Sequence, residues 1–285
     1  MILVFGKTGQ LGAELEAFGE VKTLGREQAD LSNPQSCVDA IYLYKPRAVI
    51  NAAGYTLVDK AEREPYLASL INGEAPGAMA TACAKMNIPL LHISTDYVFD
   101  GAGVSPWQVS DSPNPKNAYG KSKLEGEVLI EASGCVYAIL RTSWVVSSHG
   151  TNFVKKILHL SETKDSINIV DDQVGGPTCA KDIAHTCLSI INQLIKDPNK
   201  SGVYHYSGSP NVTWFQFANV ILEQANRQTI VKSISSLEHP TLALRPSNSR
   251  LDCELTESIF GISRPHWVDG LKNILEELEN YHDKS

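Results

Sequence analysis

The chain has 285 residues, a net charge of −7, and 42% hydrophobic and 20% charged residues. That acidic balance excludes nucleic acid and anionic membranes as expected partners, since both need a cationic footprint, and no run reaches the ~20 apolar residues of a membrane-spanning helix. The length accommodates one large α/β unit or a nucleotide-binding domain with a smaller companion, and neither repeats nor disorder are indicated.

The first apolar run, Ile2–Phe5, meets a glycine at once and has no basic leader or small-residue cleavage site, so it reads as a strand in a cytoplasmic protein. It opens into "GKTGQLG", with Gly6, Gly9 and Gly12 in a G-x-x-G-x-x-G spacing, and then into a helix predicted over Gln10–Phe18. Further strands are predicted at Val21–Leu24, Ala48–Asn51, Leu90–Ser94 and Val136–Arg141, alternating with helices at Pro34–Tyr44, Pro76–Met86 and Tyr119–Ala132. Ser32-Asn33-Pro34 places a capping residue ahead of a first-turn proline. Such alternation specifies a Rossmann-type, doubly wound parallel sheet.

Past Arg141 the pattern loosens into helices at about Asn152–Leu160, Ala180–Ile195 and Thr213–Asn226, separated by loops rich in Gly, Pro, Ser and Asn. The expected division is a dinucleotide-binding domain over 1–145 and a mainly substrate-binding α/β lobe over 146–285, with the segment around 178–195 returning to the first domain. Six scattered cysteines without a C-x-x-C read as reduced thiols in the core or on the surface.

The glycine spacing between strand and helix fits a dinucleotide site: the glycines permit a tight turn and close approach, and free N–H groups meet a pyrophosphate. After Leu24 comes Gly25-Arg26, without the acid that grips adenosine ribose hydroxyls, which favours NADPH modestly over NADH. Asp30 and Leu31 fall towards the adenine end. In "HISTDYVFDG", strand alternation sets Thr95 and Tyr97 on one side and Ser94 and Asp96 on the other. Tyr119 stands four residues ahead of Lys123 on one helix face, where a cation can act on a phenol.

Thr95, Tyr119 and Lys123 resemble the catalytic set of the extended short-chain dehydrogenase/reductases. The ordered motifs "GKTGQLG", "VINAAGYTLVDKAE", "ISTDYVFDG", "NAYGKSKLEGE", "LRTSW", "NFVKKIL", "VDDQVGGPT" and "RPSNSRLD" are similar to those of the dTDP-4-dehydrorhamnose reductase family. The resemblance implies that the chain reduces the ring ketone of dTDP-4-dehydro-L-rhamnose. Tyr119 would protonate the ketone oxygen, Lys123 lower the tyrosine pKa and hold the nicotinamide ribose, and Thr95 hydrogen-bond the same oxygen. It further implies cofactor contacts from Gly9, Gln10, Leu11, Asp30, Leu31, Gly54, Tyr55 and Thr56, beside Gly6 and Gly12 of the loop. Sugar-nucleotide contacts would come from Asp96, Tyr97, Trp144 and Arg245. A magnesium ion near Glu14 and a homodimer stay open.

This sequence departs from the family pattern at Gly54, Val109-Ser110, the residues after Trp144, and Leu242 and Leu244. Two other functions are weighed: a non-catalytic, cofactor-binding regulatory subunit like the methionine adenosyltransferase β-subunit, and a reductase of another dTDP-4-keto-6-deoxy sugar. Dehydratase chemistry would want a glutamate after Asp96, where Tyr97 stands.

Overall fold

The computed structural model describes residues 1–282. Its largest sheet has six strands: β1 (Ile2–Phe5), β2 (Val21–Leu24), β3 (Ala48–Asn51), β4 (Leu90–Thr95), β5 (Tyr137–Thr142) and β6 (Gly202–His205). They lie in the order β6-β5-β4-β3-β1-β2, every pair parallel. Strands buried on both faces read as continuous apolar runs, which is why "ILVF" and "AVIN" carry no polar alternation.

Five helices cover the two faces: α1 (Gln10–Glu16), α2 (Pro34–Tyr44), α3 (Ala75–Met86), α4 (Ala118–Ala132) and α5 (Ala180–Lys196). Alternate residues of β1 go to opposite sides. Leu3 and Phe5 join Ile41 of α2 and Met79 of α3 in one core, while Ile2 and Val4 join Leu11 of α1 and Ile183, Cys187 and Ile191 of α5 in the other. The chain after residue 146 therefore contributes a helix to the sheet's face as well as β6, a strand that the sequence reading lacked.

A separate core forms around Val154, Ile157, Phe217, Ile221, Trp267 and Leu271. It is framed by helices Phe153–Ser161, Trp214–Gln224 and Trp267–His282 and by small sheets of two or three short strands, one pairing Ser166–Val170 with Ile230–Ile234. All six cysteines are free and buried, in the core and not on the surface. Among the described residues no helix is long and apolar enough to cross a membrane.

The chain runs from β1 outward to β2, then crosses to β3 on the other side of β1. That reversal opens a crevice at the carboxyl ends of β1 and β3, where open α/β sheets bind ligands.

Candidate active site

On one side of the crevice lies the glycine turn. Gly6 has φ +109°, and a Cβ there would meet Ala53 N at 2.8 Å; a Cβ at Gly12 would come within 1.9 Å of Gly6 O. Backbone packing thus excludes side chains at both positions. At Gly9 the only neighbour is Gly6 O at 3.4 Å, so the turn between strand and α1 is left open to a ligand. The Gln10 side chain turns elsewhere: its Oε1 accepts from Ser147 Oγ at 3.1 Å and Asn152 Nδ2 at 2.9 Å. Leu11 and Leu31 are buried in the core.

Asp30 accepts the Ser32 N–H at 2.9 Å, which holds its carboxyl below the ordinary range, and pairs with Arg26 at 3.6 Å. Arg26 is 75% exposed. Sequence adjacency hid an acid here: the Glu27 carboxylate folds back to 2.5 Å from where a Gly25 Cβ would stand, at the end of β2. Beyond β3, the loop Gly54–Thr56 is tied down by Asn72, which accepts Tyr55 N–H at 2.8 Å and donates to Tyr55 O and Ser122 Oγ at 3.0 Å each. The Tyr55 hydroxyl is turned away to Glu64, at 2.7 Å. A Cβ at Gly54 would sit 3.0 Å from Asn72 Oδ1, so glycine at this departure from the family pattern relieves a tight contact.

Across the crevice, β4 ends at Thr95 and the chain turns into a 3-10 segment, Asp96–Val98. The turn breaks the strand alternation, which corrects the expected placement of Thr95 and Asp96 on opposite sides: Thr95 Oγ1 donates to Asp96 Oδ1 at 3.1 Å. Helix α4 begins at the Asn117 cap, whose side chain accepts Gly120 N–H at 2.7 Å, and this fixes Tyr119 in its first turn. Close approach to the 3-10 turn after β4 needs Gly120, where a Cβ would strike Tyr97 O at 2.2 Å.

Burial raises the Tyr119 phenol above its ordinary value, and the largest opposing influence is its hydrogen bond to Thr95. Lys123 is buried and its Nζ turns to Ile93 O at 2.6 Å and His92 Nε2 at 3.0 Å. The expected lowering of the phenol by Lys123 is therefore not a feature of this arrangement. Burial takes Lys123 down to about 8, and Asp96, with Oδ2 lacking a hydrogen-bond partner, up to about 6.

Tyr97 packs edge-on to Tyr119, with ring centroids 5.4 Å apart, and its hydroxyl accepts from Arg245 at 3.4 Å. Arg245 pairs with Asp59 at 2.5 Å. Tyr97 and Arg245 line a cavity of ≈ 210 Å³ with Lys116, Asn117 and Ser247. The Trp144 ring packs against Gly175, and its backbone has φ +51°, a left-handed conformation held against its steric preference. Its ring stacks on Trp214 at 3.5 Å. The sequence reading missed Trp214, 70 residues away and indistinguishable from a helix-start aromatic, and also Asp59, Asn72 and His92.

Glu14 shares a cavity with Asp182 and Glu277 and is raised chiefly by burial. Among the described residues no group of three or more His, Cys, Asp and Glu is arranged to hold a metal ion.

A family model described as RmlD substrate binding domain matches residues 1–280. The dTDP-4-dehydrorhamnose reductase of Sinorhizobium fredii is 40% identical over 97% of both chains. The chain belongs to the dTDP-4-dehydrorhamnose reductase family. The family member of Salmonella typhimurium is 36% identical over 97% of both chains. Among solved dTDP-4-dehydrorhamnose reductase structures, that of Clostridium acetobutylicum superposes with TM-score 0.91 at 34% identity, covering 98% of this chain and 99% of that one. The Bacillus anthracis dTDP-4-dehydrorhamnose reductase, in complex with NADP, gives 0.90 at 32% identity over 97% and 98%.

Proposed function

We propose that this chain reduces dTDP-4-dehydro-β-L-rhamnose to dTDP-β-L-rhamnose with NADPH or NADH, the last step in making an activated rhamnose for cell-surface polysaccharide. The observation that carries the reading is the hydrogen bond between Thr95 and Tyr119 at the carboxyl end of β4, with Lys123 one helical turn further on and bonded to Ile93 O of the same strand. Family membership supports the substrate.

The glycine turn fits a dinucleotide, because Gly6 and Gly12 are forced by backbone contact while Gly9 is open. Gly9, Gln10 and Leu11 would present backbone N–H groups to the pyrophosphate, and Lys123 would hold the nicotinamide ribose. When bound, the nicotinamide supplies the hydride. Tyr119 donates its proton to the alkoxide that develops on the ketone oxygen; the phenol, raised by burial, is protonated at neutral pH. Thr95 donates a hydrogen bond to the same oxygen. Asp96 receives sugar hydroxyls on its unpartnered Oδ2, while Arg245, beside Tyr97, meets the diphosphate. Arg26 and Glu27 oppose each other at the adenosine end, so both cofactors are accepted.

Tyr119→Phe tests the assignment. Turnover should fall by about 100-fold or more, the scale of a lost general acid, with NADPH binding retained; near-normal turnover removes Tyr119 from the chemistry.

A further inference from the structure

His92 is buried on β4 beneath the catalytic set and has no part in the chemistry above. Its Nδ1 lies 3.1 Å from Asn51 Nδ2, and its Nε2 lies 3.0 Å from Lys123 Nζ. The Asn51 amide is oriented independently, because its Oδ1 accepts the Ala53 N–H at 3.1 Å. The group facing His92 is then the NH₂, a donor. It follows that Nδ1 accepts, that the ring's single proton sits on Nε2, and that this N–H is aimed at Lys123. An ammonium has no lone pair to receive it. With the Asn51 amide turned this way, the set closes only with Lys123 as an amine, its lone pair turned to Nε2–H and one of its own hydrogens donated to Ile93 O at 2.6 Å.

Of the surrounding charges only Glu127 favours the ammonium, and burial outweighs it. Glu127, one turn further along α4, is spent on Arg141 of β5 (Nη2 to Oε2, 2.6 Å) and on Ser94 of β4. Asp96 and Tyr119 stand at the crevice end, and on the other side of α4 Asn72 offers Ser122 only an amide. Burial takes His92 well below its ordinary value, so the ring is neutral, and takes Lys123 down to about 8, so the amine is the main form above that pH.

We propose that His92 is a positioning residue that stabilises Lys123 as an uncharged amine in the free protein at alkaline pH, so that cofactor binding there is coupled to the uptake of one proton. The proton comes from solvent and forms the third N–H bond on Nζ. The charged form closes with the opposite set: bare Nε2 accepts from the ammonium, and Nδ1–H donates to Asn51 Oδ1 once the amide has turned over. The Ala53 N–H is thereby released beside Gly6. The ring stays neutral throughout, so the net count is one proton. The coupling to cofactor rests on the reductase reading above; the tautomer does not.

The full chain, labelled with ¹⁵N-histidine and studied without ligand at pH 9, should show His92 protonated at Nε2 and bare at Nδ1. The opposite tautomer overturns the proposal. Calorimetric titration with NADPH in two buffers of different ionisation enthalpy should then give uptake of about 0.9 proton at pH 9, falling to about 0.1 at pH 7, from linkage to a group at about 8. The cofactor's phosphates are fully ionised at pH 9 and add nothing. His92→Leu removes the donor that favours the amine, so uptake at pH 9 should drop below half while NADPH still binds. NADPH binding to the unsubstituted protein without proton uptake overturns the coupling. Failure of NADPH to bind at all counts instead against the reductase reading and leaves the tautomer result to decide the His92 assignment.

Discussion

Replacing Asp96 with Asn keeps the shape of a side chain that is 2% exposed and removes its charge. Burial is the main reason its carboxyl rises from 3.8 to about 6, against smaller pulls from Ser249 and Thr95. A folded-state value above the unfolded one means that the native protein holds the proton more tightly. Its stabilising contribution is fully present below the unfolded value and is lost as pH climbs through about 6. The gap corresponds to about 3 kcal/mol, of which about 2 kcal/mol falls between pH 4.5 and 8. Urea unfolding of the ligand-free protein and of Asp96→Asn at both pH values isolates this contribution, because any altered hydrogen bond to Thr95 cancels in the comparison. The variant should gain about 2 kcal/mol relative to the parent on going to pH 8, while its turnover falls. An identical pH dependence in both proteins would falsify the account of Asp96 as a carboxylate held uneasily for a ligand.

Trp144→Ala should lower stability by about 1–2 kcal/mol, the scale of a lost aromatic pair, and not the 3–5 kcal/mol of an emptied core; thermal unfolding beside kinetics should also show a raised KM for the sugar nucleotide. An unchanged KM would leave the Trp144–Trp214 stack as packing alone. Glu27→Gln should raise kcat/KM for NADPH relative to NADH by about 5-fold, the effect of removing ~1 kcal/mol of like-charge repulsion in water, and a constant ratio would show that the carboxylate does not face the ribose phosphate.

The sheet was legible because its strands are apolar runs ended by glycine or polar residues, and because Pro34 marks a helix start. The helix that carries both Tyr119 and Lys123, and the strand that ends beside Thr95, were legible from spacing and motifs. The small sheets past residue 146 were not: strands of two residues, such as Val174–Gly175, leave no periodicity to read. Position-two alternation also misled at Asp96, since nothing local announces the 3-10 turn that brings its carboxylate to Thr95. His92 looked like a core residue within "LLHIS", and its meaning depends on Asn51 and Lys123, 41 positions before it and 31 after it. Glu27 was overlooked because the expected acid belongs directly after β2, whereas here a side chain two residues beyond Gly25 folds back to that place.

The most direct measurement follows the hydride itself. Purified chain is incubated with dTDP-4-dehydro-L-rhamnose and NADPH deuterated at the transferred nicotinamide position, and the sugar product is analysed by mass spectrometry and NMR. The account predicts dTDP-L-rhamnose carrying one deuterium at C4, in amount equal to the NADPH oxidised, with formation abolished in Tyr119→Phe. Tight NADPH binding with no deuterium reaching the sugar would contradict it and point to a cofactor-binding protein that does not turn over.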